Sequence, residues 1–287
     1  MEIGLKYNID LVEDIKNILA QDFWVYCNFI GSMIPEITDP IKFTSSCSIF
    51  VKKGNGKIDI DLITHEFHGP CIVNIRQGQI IQNAEVTNDF DASFIVLSKR
   101  FCDNLFVMLK DSGSYGSASL SKVTKVPDSL VPKFDNFYKH IREIFSDSQG
   151  INAYQAMVLA IASFFYECGT KCYLPVIESA QKSSGRLTEK FLSLVQQHFK
   201  KERFLEFYSN NLGVSTKHLS RTVKDTTGFT AVEWIDRFVI LEAKVLLKST
   251  TLSIQQISDE LNFMSQSFFG KYFKKHVGRC PKDFRNA

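Results

Sequence analysis

The sequence predicts an α+β protein in two parts: a small β-sandwich or barrel with a helical hairpin, followed by an all-helical domain. Two observations predict this order. Between about residues 43 and 110, short runs of alternating apolar and polar residues are separated by turn signals. Between residues 186 and 287, apolar residues recur at helical spacing and one helix-turn-helix pattern occurs twice. At 287 residues the chain is long enough for two hydrophobic cores.

The β region begins near Phe43. Residues 48–53 and 57–62 are predicted to form a hairpin around residues 54–56, with the apolar residues of its second strand facing inward. Further strands are predicted at residues 71–76, 79–86 and 92–98, and strands this short indicate a small sandwich or barrel. The interior is either a filled core or a ligand pocket, and both interpretations stay open. The side chains that would line such a pocket are Val51, Ile58, Ile60, Leu62, Val73, Phe94 and Val96.

Helices are predicted on both sides of the β region. A capping-box pattern followed by apolar residues at helical spacing predicts a helix at residues 10–21. Two amphipathic stripes predict a helical hairpin over about residues 131–168, which either covers the barrel or makes a homodimer. We favour the homodimer. Residues 179–185 are predicted to be a linker between a first domain, residues 1–178, and a second, residues 186–287.

The second domain contains an internal repeat. Residues 208–214 and 257–263 share one order of apolar, small, polar and turn residues, 49 positions apart, and the matches downstream are 50 apart. Gly213 and Asn262 stand where the first helix of each unit must end in a left-handed residue. A long period with matching chemistry therefore predicts two helix-turn-helix units.

Capping signals mark the helices of both units. Thr230 and Ser253 each begin a capping-box pattern. Ser215 or Thr216 can cap the helix after the first turn, and Ser265 can cap its counterpart after the second.

The helix between the two units is predicted to be buried, because residues 230–247 are apolar around most of its circumference. Its 18 residues would span roughly 27 Å. Such a strut would hold two recognition helices about one turn of DNA, ~34 Å, apart.

Charge is distributed unevenly along the chain. The net charge is +3, but residues 185–287 carry 17 Lys and Arg against 10 Asp and Glu, whereas residues 1–184 carry 17 against 21. The basic part is therefore the candidate for binding a polyanion. Residues 1–6 lack a signal-peptide core and the longest apolar run, residues 156–166, is too short to span a bilayer. We expect a cytoplasmic protein with no membrane partner.

The sequence offers little sign of catalysis. Seven cysteines without paired zinc-type spacing are expected to be reduced and mostly buried, and a redox or metal pair at Cys168 and Cys172 is disfavoured. The His and Glu residues at 65–68 are expected to lie at a surface turn because Gly-Pro follows at 69–70, and residues three apart on a strand would face opposite sides. We expect no catalytic residue, no metal and no cofactor.

A set of residues in the second domain forms a recognisable pattern. Its members are Leu212-Gly213-Val214-Ser215, Leu219-Ser220-Arg221, Gly228, Glu242-Ala243, Leu246-Leu247, Gln266-Ser267, Phe269, Phe273-Lys274-Lys275, Gly278, Pro281 and Phe284-Arg285. With this pattern, residues 186–287 resemble the DNA-binding domain of the AraC/XylS family of bacterial transcription regulators. The chain departs from the family pattern at Val239, Asn262, Met264-Ser265 and Cys280. The β region resembles, more weakly, the cupin-like jelly-roll sensor domain of many members.

The resemblance implies two recognition helices, which expose their N-terminal halves to base edges and bind phosphates from their flanks. The residues expected to contact bases are Lys217, Ser220 and Arg221 in the first unit and Gln266, Ser267 and Lys271 in the second. Arg221 is favoured because a guanidinium can bond guanine O6 and N7 together. Phosphate contacts are expected from Lys224, Lys274, Lys275 and Arg285. Phe268 could touch a thymine methyl group, but a packed aromatic is the favoured interpretation.

The expected function is that of a sequence-specific DNA-binding transcription regulator whose partner is double-stranded DNA. The first domain is expected to sense a small-molecule effector or to form a homodimer. The alternative is a metal-dependent cupin-type enzyme fused to a DNA-targeting domain. A third hypothesis, a methyl-accepting DNA-repair regulator, is disfavoured by the cysteine spacings.

Overall fold

The computed structural model describes residues 22–31, 39–109, 122–146, 152–169, 171–172 and 183–286. The helix predicted at residues 10–21 and residues 179–182 of the predicted linker lie outside these ranges. The strands are β1 (Phe23–Ile30), β2 (Ile41–Lys42), β3 (Ser46–Lys53), β4 (Asn55–Ile60), β5 (Ile63–His68), β6 (Cys71–Ile75), β7 (Ile80–Val86), β8 (Asp91–Leu97) and β9 (Val123–Lys125). The helices are α1 (Lys99–Leu109), α2 (Val131–Ser146), α3 (Ala153–Phe164), α4 (Ser183–His198), α5 (Leu205–Leu212), α6 (Thr216–Thr227), α7 (Ala231–Ser249), α8 (Ile254–Glu260), α9 (Gln266–Val277) and α10 (Pro281–Asn286).

The strands form an antiparallel β-sandwich, and together with the helical second domain they give the predicted α+β fold. One sheet has the order β1-β8-β3-β6-β9 and the other has the order β2-β7-β4-β5. Apolar residues alternate along the strands and meet between the sheets, where Val51, Ile60 and Val73 are almost completely buried. The strands predicted at residues 71–76, 79–86 and 92–98 are confirmed as β6, β7 and β8.

The hairpin predicted from residues 48–53 and 57–62 is wrong. Its two segments form β3 and β4, which belong to different sheets, so the chain crosses the sandwich at Gly54. Gly54 has a φ of +88°, and a Cβ there would lie 2.6 Å from the Cα of Phe90. The local turn signal therefore marks a crossing rather than a pairing, because β3 pairs with the distant strands β6 and β8.

The hairpin partner of β4 is β5, at residues where a surface turn was expected. Ile60 pairs with Ile63, and the two residues between them, Asp61 and Leu62, both have positive φ. This is the geometry of a two-residue hairpin turn. Leucine is an unusual residue for such a turn, so no turn was predicted there, and Leu62 lies in the turn instead of in the inward-facing row.

Two of the helices pack as the predicted hairpin and cover the five-stranded sheet. Phe134 and Tyr138 of α2 lie with ring centroids 4.8 and 5.9 Å from that of Phe50 on β3. Met157 of α3 is fully buried in the same cluster. Much of the aromatic surface of the hairpin is therefore used within the chain.

The helical domain is organised by the caps that were predicted. Gly213 ends α5 and Asn262 follows α8 with φ of 66° and 54°, so both turns adopt the left-handed conformation. Thr230 and Ser253 form complete capping boxes at the starts of α7 and α8. Ser215, rather than Thr216, caps α6.

Helix α7 is the strut between the two units and is buried around most of its circumference. Its 19 residues correspond to roughly 28 Å at about 1.5 Å per residue. Trp234, Val239 and Leu247 are among its buried side chains, and Val232, at 46% exposure, departs from the predicted pattern. Helix α4 begins at Ser183, so the last three residues of the predicted linker are helical.

Candidate nucleic-acid interface

The second helices of the two units, α6 and α9, are positioned by equivalent residues. The side chain of Ser215 accepts a hydrogen bond from the backbone N–H of His218 at 3.2 Å. The side chain of Ser265 accepts one from the backbone N–H of Phe268 at 3.3 Å. These bonds satisfy amide donors that a helix start otherwise leaves free. Both recognition helices therefore begin at a defined residue.

The two helices also present equivalent faces. Leu219 and Val223 of α6, and Phe269 and Phe273 of α9, are fully buried 50 positions apart. The order of buried, half-buried and exposed residues is the same over residues 221–230 and 271–280. The internal repeat therefore extends from the sequence to the way each helix sits on its core, and the outward face of one helix can be compared with that of the other.

The residues expected to contact bases lie on these outward faces. Lys217, Arg221, Gln266, Ser267 and Lys271 are exposed, whereas Ser220 is half-buried. The side chain of Arg221 is 82% exposed, and its Nε lies 3.6 Å from Asp225 Oδ2 one turn along α6. An exposed pair of this kind stabilises little, so the guanidinium is free to exchange that carboxylate for an acceptor on DNA. The contacts with individual bases remain predictions.

Three of the four residues expected to contact phosphates are exposed, and the fourth is engaged within the domain. Lys224, Lys274 and Lys275 are exposed near the C-terminal ends of their helices. Arg285 donates from Nε to the carbonyl of Leu247 at 3.2 Å and from a terminal nitrogen to that of Leu252 at 2.6 Å. Its guanidinium therefore ties α10 to the end of the strut, and a phosphate contact would have to use its remaining donors.

Other cations of the basic domain also have internal roles. The guanidinium of Arg237 lies 3.9 Å from the ring centroid of Phe229. The guanidinium of Arg203 lies 4.1 Å from that of Phe263 and donates to the carbonyl of Leu261. Such contacts stabilise the fold, so net charge alone overstates the number of cations available to DNA.

Two apolar side chains are strongly exposed on this surface. Phe268 is 63% exposed and Met264 is 93% exposed, so the expectation that Phe268 packs into the core is wrong. The helical spacing of the three phenylalanines in α9 could have predicted the exposure of Phe268. Phe269 and Phe273 already occupy the buried positions of α9, and a residue one place earlier must point about 100° away from Phe269 in a helix with 3.6 residues per turn.

The strut is also contacted by the β-sandwich, which the sequence did not reveal. The carboxylate of Glu242 on α7 is 2% exposed, and both of its oxygens accept hydrogen bonds from Lys42 Nζ, at 2.5 and 2.7 Å. Lys200 Nζ lies 3.1 Å from the same carboxylate. Ile80 of the sandwich packs against Leu241 and Val245 on either side of Glu242. The carboxylate is thus held by one cation from each domain.

A cleft of about 380 Å³ lies beside this contact. It borders both domains, and its lining combines the charged side chains of Lys42, Arg76, Lys200 and Glu242 with the apolar side chains of Ile80, Phe199 and Phe238. Asp61 also lines the cleft, and burial raises its pKa, although hydrogen bonds donated by Ile80 and Gln79 partly offset this effect. The turn between β4 and β5 therefore contributes a buried polar group to the domain boundary.

The side chains that were expected to line a ligand pocket lie elsewhere. Five of them, Val51, Ile58, Ile60, Val73 and Val96, are buried against one another between the sheets, and Phe94 is partly buried among them. Leu62 instead packs toward the helical domain. A ligand among these side chains remains a prediction.

No group of three or more His, Cys, Asp or Glu side chains in the described ranges could hold a metal ion. His65, expected at the surface, is half-buried, and burial lowers its pKa. All seven cysteines are free, and four of them are buried. None of the helices in the described part of the chain combines the length and the hydropathy of a membrane span.

Two helix-turn-helix units on one strut, each with an exposed basic helix face, define a DNA-binding domain. Residues 208–287 match the family model described as a helix-turn-helix domain. The second domain is a double helix-turn-helix domain similar to those of the AraC/XylS family, as the sequence pattern implied.

Known proteins resemble this chain mainly in the same region. The transcriptional activator RhaS of Citrobacter koseri is 26% identical over 112 residues, 39% of this chain and 40% of RhaS. The probable transcription factor PqrA of Proteus vulgaris is 36% identical over 81 residues, 28% of this chain and 66% of PqrA. The match therefore spans less than half of RhaS and about two thirds of PqrA. A solved structure of ToxT from Vibrio cholerae aligns with 92% of this chain and 98% of its own at 15% identity, with a TM-score of 0.45.

Proposed function

We propose that the chain is a transcription regulator that binds specific sequences of double-stranded DNA. The observation that carries the proposal is the repeat of an outward-facing, basic recognition helix on α6 and α9, held at the two ends of one buried strut. Paired recognition helices of this kind suit adjacent segments of the major groove. The likeness of the second domain to the transcription factors RhaS and PqrA supports the same function.

Selection from random double-stranded DNA tests this proposal directly. The full chain should enrich one sequence with two short conserved blocks, separated by about one helical turn, ~10 base pairs. A pool that stays random after repeated rounds, at a salt concentration where the protein still retains DNA, would reject sequence-specific binding.

We further propose that the first domain regulates the second, through a small-molecule effector or through homodimer formation. The contact of Lys42 and Ile80 with α7 supports this coupling, because a change in the sandwich would act on the helix that sets the spacing of the recognition helices. The cleft between the domains, about 380 Å³, is large enough for a small molecule. Repeating the DNA selection with and without candidate metabolites would detect an effector.

The alternative of a metal-dependent cupin-type enzyme makes a different prediction. It requires a bound metal in the purified full chain, and stoichiometric iron, manganese or zinc would favour it over a regulator.

A further inference from the structure

Gly270 lies near the middle of α9, where neither the backbone conformation nor the packing of the domain requires a glycine. It is not among the glycines with positive φ, unlike Gly213, Gly228 and Gly278, which end helices. A Cβ built on Gly270 would meet no atom within 4 Å other than the backbone of its own helix turn and chain neighbours. The domain therefore has room for a side chain at this position.

The absence of a side chain costs stability. Glycine inside a helix is less favourable than alanine, because it loses more backbone freedom on folding. The first unit shows that the fold tolerates a larger residue. Ser220 occupies the equivalent position of α6, 50 residues earlier, and is half-buried as Gly270 is. A glycine that the fold does not need is most simply explained by a partner.

The position of Gly270 points to the partner. It lies one helical turn from Gln266 and from Lys274, and next to Lys271, on the face expected to meet DNA. Its exposed neighbours are those expected to read bases, whereas the flanking lysines are those expected to bind phosphates. An absent side chain there would let the backbone of α9 come closer to the floor of the groove than α6 can.

We propose that Gly270 is a specificity position at which the edge of a base pair packs directly against the backbone of α9. This inference rests on the proposed function. It predicts that the two recognition helices enter DNA differently, α9 deeper and α6 held out by the side chain of Ser220. Base pairs facing Gly270 would be selected by shape, because a bulkier group on that edge would collide with the helix backbone.

The test is a size series at Gly270 in the full chain, using the good helix formers alanine and leucine. Gly270→Ala should raise the melting temperature and lower affinity for the selected site by at least tenfold, and Gly270→Leu should keep the fold and lower affinity further. Affinity for random DNA should stay within about twofold. Glu189→Ala, an exposed change on α4, serves as a control that should leave binding unchanged.

Four outcomes would overturn the inference. A lower melting temperature for Gly270→Ala would show that the fold itself requires the glycine. Unchanged affinity for the selected site would show that no base pair packs against it, while leaving the proposed function intact. Equal losses on selected and random DNA would place a phosphate there instead of a base edge. If the wild-type chain selects no sequence at all, the proposed function is wrong, and the inference about Gly270 is wrong with it.

Discussion

Lys42 Nζ lies 2.5 Å from one oxygen of Glu242 and 2.7 Å from the other, across a separation of 200 residues in the chain. The lysine belongs to the short strand β2 and the glutamate to the strut between the two recognition helices. Glu242 is 2% exposed, and a buried carboxylate without a partner is strongly unfavourable. The β-sandwich therefore neutralises a charge at the centre of the DNA-binding domain.

This pair should couple the stability of the two domains. Lys42→Met leaves Glu242 with Lys200 alone, and we expect it to lower the free energy of unfolding by about 1 to 3 kcal/mol. Glu242→Gln removes the charge and should make the second change, Lys42→Met, nearly neutral. Denaturant unfolding of the two single variants and the double variant measures the coupling. Additive effects would mean that the contact contributes no interaction energy.

The salt dependence of DNA binding should count the phosphate contacts. If four to six cations touch phosphates, log K should fall against log salt with a slope of about −4 to −5 per protomer. Because Arg285 already binds two backbone carbonyls, Arg285→Gln, which removes the charge, should leave the slope nearly unchanged, whereas Lys274→Ala should reduce its magnitude by about 1. Filter binding or fluorescence anisotropy over a salt series gives the slope. A flat response would contradict the interface altogether.

Arg221 should contact a base, whereas Lys274 should contact a phosphate of the DNA backbone. Arg221→Ala is expected to cost roughly 1 to 3 kcal/mol on the selected site and little on random DNA, since a bidentate contact with guanine is lost. Lys274→Ala should weaken both complexes about equally. Competition assays with the two DNAs separate the cases. An equal loss of affinity for the selected site and for random DNA in Arg221→Ala would mean that Arg221 contacts a phosphate instead of a base.

Much of the helical domain could be predicted because its determinants are local. Ser215, Thr230 and Ser253 cap the helices that immediately follow them, and Gly213 sets a turn through its own φ. The strand pairing of the β-sandwich was harder to predict. The residues of β3 pair with residues 20 to 51 positions away, and no short-range pattern distinguishes a crossing at Gly54 from a hairpin.

The outward faces of α6 and α9 could be read from helical spacing, but the contact with the first domain could not. Lys42 looks like an ordinary surface lysine in the sequence, and Glu242 looks like part of a helix pattern. Their partnership follows only from the packing of Ile80 against Leu241 and Val245. A charge buried by tertiary structure leaves no signal in one sequence.

Phe268 should contribute to DNA affinity rather than to folding. Because it is 63% exposed, Phe268→Ala should change the free energy of unfolding by less than about 0.5 kcal/mol. On the selected site it should weaken binding by up to about tenfold if its ring meets a thymine methyl group. Replacing thymine by uracil in that site removes the methyl and should abolish the difference between variant and wild type. A marked loss of stability would instead mean that the ring packs within the domain.

The proposed homodimer must use a surface other than the aromatic stripe of the helical hairpin. Ile141 is fully buried, and the ring of Phe137 stacks on that of Phe164 with centroids 4.0 Å apart, so charged substitutions there would disrupt the core. Leu159 on α3 and Val107 on α1 are 58% and 65% exposed on helices that contact each other. We expect these two side chains to lie at the dimer interface.

The test is the mass of the full chain in solution. The wild-type protein should be a dimer at micromolar concentration, and Leu159→Lys and Val107→Lys should shift it toward the monomer without lowering the melting temperature. Both variants should also bind the selected DNA more weakly, because a dimer places four recognition helices on the site and raises their effective concentration. A wild-type chain that stays monomeric with and without DNA would contradict the dimer, and the first domain would then have to act on α7 within one chain.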